Sequence, residues 1–203
     1  MTIQEKMHNG ALYQPMNADL QKEQLADIDE VAVYNRIPAT HQEERFAQLK
    51  KMFAEIGERS YVEAPFYSNF GGAHVHFGSG IYANFNLTLV DDTHIYVGDR
   101  TMFGPNVTLV TATHPIDPSL REQGYQYNKP IHVGRNCWFG ANVTVMPGVT
   151  IGDNSVIGAG SLVTHDIPAN VVAFGSPCRV AREITDNDRK TYDHGKPIDI
   201  ESL

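Results

Sequence analysis

From Val133 onward the chain is written in sixes: VGRNCW, FGANVT, VMPGVT, IGDNSV, IGAGSL and VTHDIP. The first place of each block is Val, Phe, Val, Ile, Ile or Val, and the second is Gly in four of the six. The same phase runs upstream through VGDRTM (97–102), FGPNVT (103–108) and LVTATH (109–114), and more weakly through FGSGIY (77–82) and ANFNLT (83–88). A period of six suits neither an α-helix nor an alternating strand. It suits a coil of short strands with a corner in every block, the opening aliphatic pointing inward and Gly or Asn supplying left-handed or tight backbone. Each coil can bury its aliphatic row only against the next, so many repeats are needed and the ends must be covered. Between Leu89 and Val97 the step is longer than six, which predicts a bulge at about Val90 to His94.

Outside the coil the pattern changes. The spacing predicts a helix from about Asp19 to Tyr34, ending before Pro38. It predicts a second after Thr40, which with Glu43 has capping-box spacing. The stripe Phe46, Leu49, Met52, Phe53 and Ile56 then leads to Gly57 as the stop. This gives a helical segment at 1–57 that covers the coil, a repeat domain at 58–185 and a tail at 186–203 without periodicity. Residues 115–130 (PIDPSLREQGYQYNKP) interrupt the hexads with prolines and no inward aliphatics, and read as a loop ejected from the coil.

Charge and composition narrow the function classes. With 203 residues, 41% hydrophobic content and a net charge of −8, the chain reads as one globular domain poorly suited to nucleic acid or anionic membranes. The start MTIQEKMHNG has no apolar run of a signal peptide, and no stretch is long enough for a membrane span. Cys137 and Cys178 fit a reducing cytoplasm. Cys137 sits at a fifth place that wants a small side chain, so it reads as core. His74 and His76 form a pair without an evident third ligand, which is a poor zinc site and reads as strand-edge histidines. No metal is expected.

Several segments together carry a resemblance: YANFN (82–86), TATHPIDP (111–118), WFGANV (138–143), PGVTIGDNSVIGAGSLVT (147–164) and GSPCRV (175–180). Over roughly residues 7 to 185 the chain resembles the galactoside and maltose O-acetyltransferases among the hexapeptide-repeat acyltransferases. The resemblance implies a left-handed parallel β-helix of triangular section, although the usual crossover rule would give the opposite hand. It implies acetyl-CoA as donor, a sugar or glycoside hydroxyl as acceptor, and a homotrimer with sites between subunits. It also implies that loop 115–130 covers a neighbouring subunit's site and that the N-terminal segment helps form the acceptor pocket.

Residue by residue, His114 falls where that family carries its catalytic histidine, at the sixth place of a hexad where coil gives way to loop. Imidazole, with an ordinary pKa near 6.5, can take a proton from a sugar hydroxyl and return it to the leaving thiolate. What orients it is not legible, and Asp92 is a candidate by repeat phase alone. Asn84, Asp92, Asn69 and Tyr82 match the acceptor side. Without the resemblance, Asn84 could equally be a left-handed corner and Asp92 a solvated bulge. A family Asp in the N-terminal segment is replaced by Pro15. On the donor side, Arg179 and Arg182 match phosphate contacts, although the pair could also be solvated surface arginines. Ala141, Ala159 and Thr164 match the pantetheine groove, and His165 stands where the family usually has Lys. Trp138 reads as a subunit contact or groove wall. A different hydroxyl acceptor such as serine or an antibiotic, a non-catalytic sugar-binding β-helix, and a metal-dependent hydratase are the rival readings.

Overall fold

In a computed structural model of the chain, residues 1–199 are described; the end of the expected tail, 200–203, lies outside them. The hexads close into a parallel β-helix with three faces. The first face stacks Glu55–Ile56, Val75–Phe77, Ile95–Val97, Ile131–Val133 and Thr150–Ile151. The second runs from Tyr61–Val62 through Tyr82–Ala83, Met102–Phe103, Trp138–Phe139 and Val156–Ile157 to Val171–Phe174, with Arg179–Glu183 antiparallel at its edge. The third stacks Tyr67–Ser68, Thr88–Val90, Thr108–Val110, Thr144–Val145 and Leu162–Val163. The coil thus begins at Glu55, before the expected boundary at residue 57, with Ile56, Val62 and Ser68 as its first inward set.

First and fifth places both turn inward. Val133, Phe139, Val145, Ile151, Ile157 and Val163 are buried, as are Cys137, Val143, Val149, Ser155 and Ser161; Ile167 is buried too, but opposite Ile151 on the first face, where the last block falls out of phase. Burial pushes the Cys137 thiol up, which keeps it an unreactive core residue. Down the axis Phe77 stacks on Phe103 and Phe103 on Phe139, at 6.1 and 4.9 Å between centroids. The two roles expected of Gly and Asn separate cleanly. At the second place the need is space: a Cβ on Gly140 would stand 2.5 Å from the Ala159 nitrogen, and one on Gly98 2.6 Å from that of Arg135. At the fourth place the need is left-handed backbone, taken by Asn86, Arg100, Asn106, Asn136, Asn142 and Asn154 with φ between 54° and 61°. Their amides also bond from coil to coil, Asn86 to Asn106 at 3.0 Å and Asn106 to Asn142 at 3.1 Å.

Every departure from the six-residue step falls at one corner, between the third face and the first. Inward positions jump there from Ser68 to Phe77, from Leu89 to Val97 and from Leu109 to Val133, whereas Val145 to Ile151 keeps the hexad. The expected bulge is the second of these. Its Asp91, fully buried, accepts from Ser68 Oγ at 2.6 Å and from the Phe70 and Gly72 nitrogens at 2.9 and 3.0 Å. Burial pushes its carboxyl up while those donors hold it in place.

Three helices cover the open end and this corner. Helix α1 (Ile3–Asn9) was not legible as a helix, although Thr2 and Glu5 form its capping box. Helix α2 (Ala18–Tyr34) is capped by Asn17. Helix α3 (Gln42–Met52) departs from expectation at both ends. His41, not Thr40, is its N-cap and makes no side-chain cap bond, while Glu43, Glu44, Lys50 and Lys51 suit its dipole instead. It stops at Met52, and Phe53 turns extended so that its ring meets Phe66 and Phe77 edge-on, at 6.0 and 5.3 Å, under the first coil. The tail forms a short 3-10 turn, Asp186–Arg189, and a small hairpin, Thr191–Tyr192 with Lys196–Pro197. No helix among the described residues is long and apolar enough to cross a membrane.

Helix α1 seats on a group of histidines scattered in sequence. His8 lies 4.8 Å from His74 and 4.7 Å from His94, ring to ring, and His76 Nε2 stands 3.0 Å from His94 Nδ1. Tyr96 stacks between His76 and His132 at 4.5 and 4.9 Å. Among the described residues no three such side chains are arranged to hold a metal ion. Burial, then repulsion from His74 and His94, pushes His8 down to about 4, and burial pushes His94 down as well. The unfolded chain, with histidines near 6.5, therefore binds protons first as pH falls, and the fold loses stability between about 6.5 and 4.

Two outcomes follow for stability. Phe103→Ala should cost about 3–5 kcal/mol in denaturant unfolding, because the rings above and below cannot collapse into the space. The melting temperature should fall on going from pH 7 to pH 5, and His8→Gln should flatten that slope; an unchanged slope would show that the cluster does not set it.

Candidate active site

His114 stands at the corner where the third coil leaves for the loop, exposed and outside the core. Its orientation comes from the main chain: the Tyr125 carbonyl lies 2.8 Å from Nδ1. A carbonyl only accepts, so Nδ1 carries the hydrogen and Nε2 presents its lone pair. The expected orienter, Asp92, is not the partner.

The His-Pro pair has a physical reason. Residues 112–113 pair antiparallel with the returning strand Tyr127–Asn128, Ala112 opposite Asn128 and Thr113 opposite Tyr127. The Lys129 nitrogen donates to the Thr111 carbonyl at 2.9 Å. Hydrogen-bonded pairs therefore fall at 111 with 129 and 113 with 127, and the next in register is 115 with 125. Pro115 has no N–H to give. The Tyr125 carbonyl is left open, and the imidazole takes it.

Loop 115–130 is more ordered than its composition suggested. Asp117 caps a short helix, Pro118–Glu122, accepting from the Ser119 and Leu120 nitrogens, and the Ser119 hydroxyl bond, then these two, hold its carboxyl below the usual range. The Arg121 guanidinium bonds the Pro115 and Ile116 carbonyls and ties the short helix back to the start of the loop. The returning strand was legible only in the alternation of YQYN, where Gln126 and Asn128 are buried and Tyr125 and Tyr127 are not.

Asp92 and Asn69 are brought together at the irregular corner. Asp92 is buried rather than solvated; Asn69 Nδ2 donates to its Oδ2 at 2.9 Å and Gln126 Nε2 to its Oδ1 at 2.8 Å. Each carboxylate oxygen keeps a further lone pair. Tyr82 and Asn84 lie elsewhere, on the second face and its corner. Asn84 does not take the left-handed corner, which falls to Asn86; its Oδ1 accepts from the Phe85 nitrogen at 2.7 Å. Tyr82 lies parallel to Tyr61 at 6.4 Å, its phenol pushed up by burial. Among the described residues no hydrogen bond or ring contact within the chain joins Tyr82 or Asn84 to His114, Asp92 or Asn69.

The donor-side residues follow the upper coils. Ala141 and Ala159 occupy equivalent places in successive coils, and the Gly160 nitrogen donates to the Ala141 carbonyl at 2.8 Å. Thr164 Oγ1 lies 2.9 Å from His165 Nδ1, with His165 exposed. Arg179 and Arg182 stand on the edge strand, opposite Phe174 and Val172. Arg179 Nη1 donates to the Cys178 carbonyl at 2.8 Å. Arg182 is not free: both terminal nitrogens meet Asp188, at 2.8 and 2.7 Å, and hold that carboxyl down to about 2. None of these residues lines the cavity of about 300 Å³ between α3 and the first coil, around Tyr34, Arg45, Ser60 and Tyr61.

Comparison with known proteins identifies the fold and the family. The family described as "Bacterial transferase hexapeptide (six repeats)" matches residues 130–165, and that described as "Maltose acetyltransferase hexapeptide capping motif" matches residues 6–57. Galactoside O-acetyltransferase of Lactococcus lactis subsp. lactis (strain IL1403) is 58% identical over 199 residues, covering 98% of this chain and 96% of its own. The galactoside O-acetyltransferase of Escherichia coli (strain K12) is 46% identical, covering 95% and 94%. A solved galactoside acetyltransferase in complex with coenzyme A matches with a TM-score of 0.94 at 44% identity, over 98% of this chain and 99% of that one. A maltose O-acetyltransferase from Clostridium difficile 630 matches at 0.89 with 40% identity, over 91% and 98%. The chain belongs to the galactoside and maltose O-acetyltransferase family of hexapeptide-repeat proteins.

Proposed function

We propose that this chain transfers the acetyl group of acetyl-CoA to a hydroxyl of a sugar or glycoside, with His114 as general base. The observation that carries the base assignment is the Tyr125 carbonyl at Nδ1, which leaves Nε2 as a fixed acceptor at the mouth of the loop. The acceptor hydroxyl attacks the thioester carbonyl carbon while Nε2 takes its proton. The tetrahedral adduct then collapses, the C–S bond breaks, and the imidazolium returns the proton to the CoA sulfur. A base so placed contributes roughly 10²–10⁴-fold, and holding both substrates together contributes much of the rest.

In this reading Asp92 and Asn69 receive acceptor hydroxyls from one protomer, and Tyr82 and Asn84 from the next. Their separation within one chain supports a site built between chains. So does the in-register row of Tyr82, Met102 and Trp138 on the second face, exposed by 39, 45 and 52%. A homotrimer would cover that row, with loop 115–130 closing over the neighbour's site. Ala141, Ala159 and Thr164 give the pantetheine arm a close approach, and Arg179 and Arg182 supply the local cations that a chain of net charge −8 must place beside a polyanion, with His165 at a place where the family usually has Lys. Arg182 reaches phosphate with the donors that Asp188 leaves unused. Two buried free thiols fit a cytoplasmic setting.

Free-thiol release from acetyl-CoA, measured with galactosides, maltose, glucose and serine, tests the reading. His114→Ala should lose at least roughly 10²-fold of acceptor-dependent release. Undiminished turnover would remove His114 as the base, serine as best acceptor would overturn the sugar assignment, and no turnover with any acceptor would favour a binding module. Trp138→Glu should convert a three-chain particle to single chains in sedimentation; a trimer in that variant would remove the second face as the contact.

A further inference from the structure

The carbonyl that orients His114 belongs to a strand with partners on both sides. On one side Tyr127 and Asn128 pair with Thr113 and Ala112. On the other, Gln126 forms a two-way bridge with Tyr13 of the N-terminal segment: Tyr13 N to Gln126 O at 2.9 Å, and Gln126 N to Tyr13 O at 3.0 Å. Backbone groups of successive residues point to opposite sides of a strand. Because Gln126 faces Tyr13, the Tyr125 carbonyl must face His114. Rotation of that peptide would break the bridge.

The side chains beneath fix the same segment. Tyr13 is 2% exposed, and its phenol oxygen accepts from Gln126 Nε2 at 2.6 Å and Asn128 Nδ2 at 3.0 Å. Gln126 Nε2 also reaches Asp92 Oδ1 at 2.8 Å and Asn128 Oδ1 at 3.0 Å, two N–H groups shared among three acceptors. Asn128 Nδ2 reaches the carbonyls of Met7 and Asp92 at 3.1 and 3.2 Å. Outside the knot, Gln14 Nε2 donates to the Gln123 carbonyl at 2.7 Å. A buried polar knot of this kind has one well-satisfied arrangement, so it specifies geometry more than it adds net stability.

We propose that Tyr13 is a positioning residue for the transfer reaction: with Gln126 and Asn128 it makes the N-terminal segment the outer strand that fixes the Tyr125 carbonyl, and through it the Nδ1–H form of His114. This rests on the reading of His114 as the base. Removing the phenol oxygen breaks both side-chain bonds from Tyr13 to the returning strand, which can then shift against the N-terminal segment. The imidazole would follow it into a mixture of tautomers, of which the Nε2–H form cannot take a proton at Nε2.

The test uses the full chain, labelled with nitrogen-15 at histidine, with the His114 signals assigned by their loss in His114→Ala. Wild type should show a single Nδ1–H tautomer, and Tyr13→Phe a mixture. In the same variant kcat for acetyl transfer should fall by about tenfold or more while KM for acetyl-CoA holds. A retained single Nδ1–H tautomer in Tyr13→Phe would overturn the proposal, whatever the rate. A mixed tautomer with wild-type kcat would overturn its catalytic half by removing His114 as the base, which separates the two readings. If thermal melts show that Tyr13→Phe is not folded, Gln126→Met, which removes the amide that bonds the Tyr13 phenol and so loosens the bridge from the other partner, should give the same tautomer mixture. A pure Nδ1–H form there would equally overturn it.

Discussion

Close stacking of the coils is the constraint on which everything else in this protein rests. A coil of short strands has no interior of its own, so each inward side chain is covered only by those in the coils above and below. The approach needed is so close that a Cβ on Gly140 would penetrate the next coil's backbone at Ala159. The same approach brings the fourth-place asparagines within hydrogen-bonding distance and lines up Phe77, Phe103 and Phe139. Rigidity is therefore distributed along the axis rather than concentrated in one core.

Chemistry gathers where that regularity is suspended. Two corners repeat with little variation, and the third accepts every insertion: the widened turn after Ser68, the Asp91–Asp92 bulge and the long loop after Leu109. Insertions at one corner stack as the coils stack, which is how Asn69, Asp92 and Gln126 come into direct contact. An inserted segment cannot use the ladder for its backbone groups, so buried side chains satisfy them instead. Asp91 does this for the turn at Phe70 and Gly72, and Asn128 does it for the carbonyls of Met7 and Asp92. Polar residues here form the local scaffold as well as the candidate site.

Electrostatics divides the molecule in a related way. At the third corner, burial favours neutral imidazoles in the cluster under α1, and this makes the fold sensitive to acid. At the edge strand the charges are exposed and paired, as with Arg182 and Asp188, where solvent makes each pair individually weak and easily rearranged.

The sequence by itself determined the repeat, its inward positions, the place of the bulge and the residue at which coil gives way to loop. Each of these follows from a periodic demand that neighbouring coils impose identically, so it is written into every block. Motif identity also singled out His114, Asp92 and Asn69. It did not reveal that the Tyr125 carbonyl orients the imidazole, that Tyr13 flanks that strand, or that His8, His74, His76 and His94 meet. Nor did it show that α3 begins at Gln42 with His41 as its N-cap and stops at Met52, where Phe53 turns extended to enter the first coil. Those features depend on which segments the inserted corner brings side by side. Contacts between residues far apart in the chain leave no period in it, so only the tertiary structure decided them.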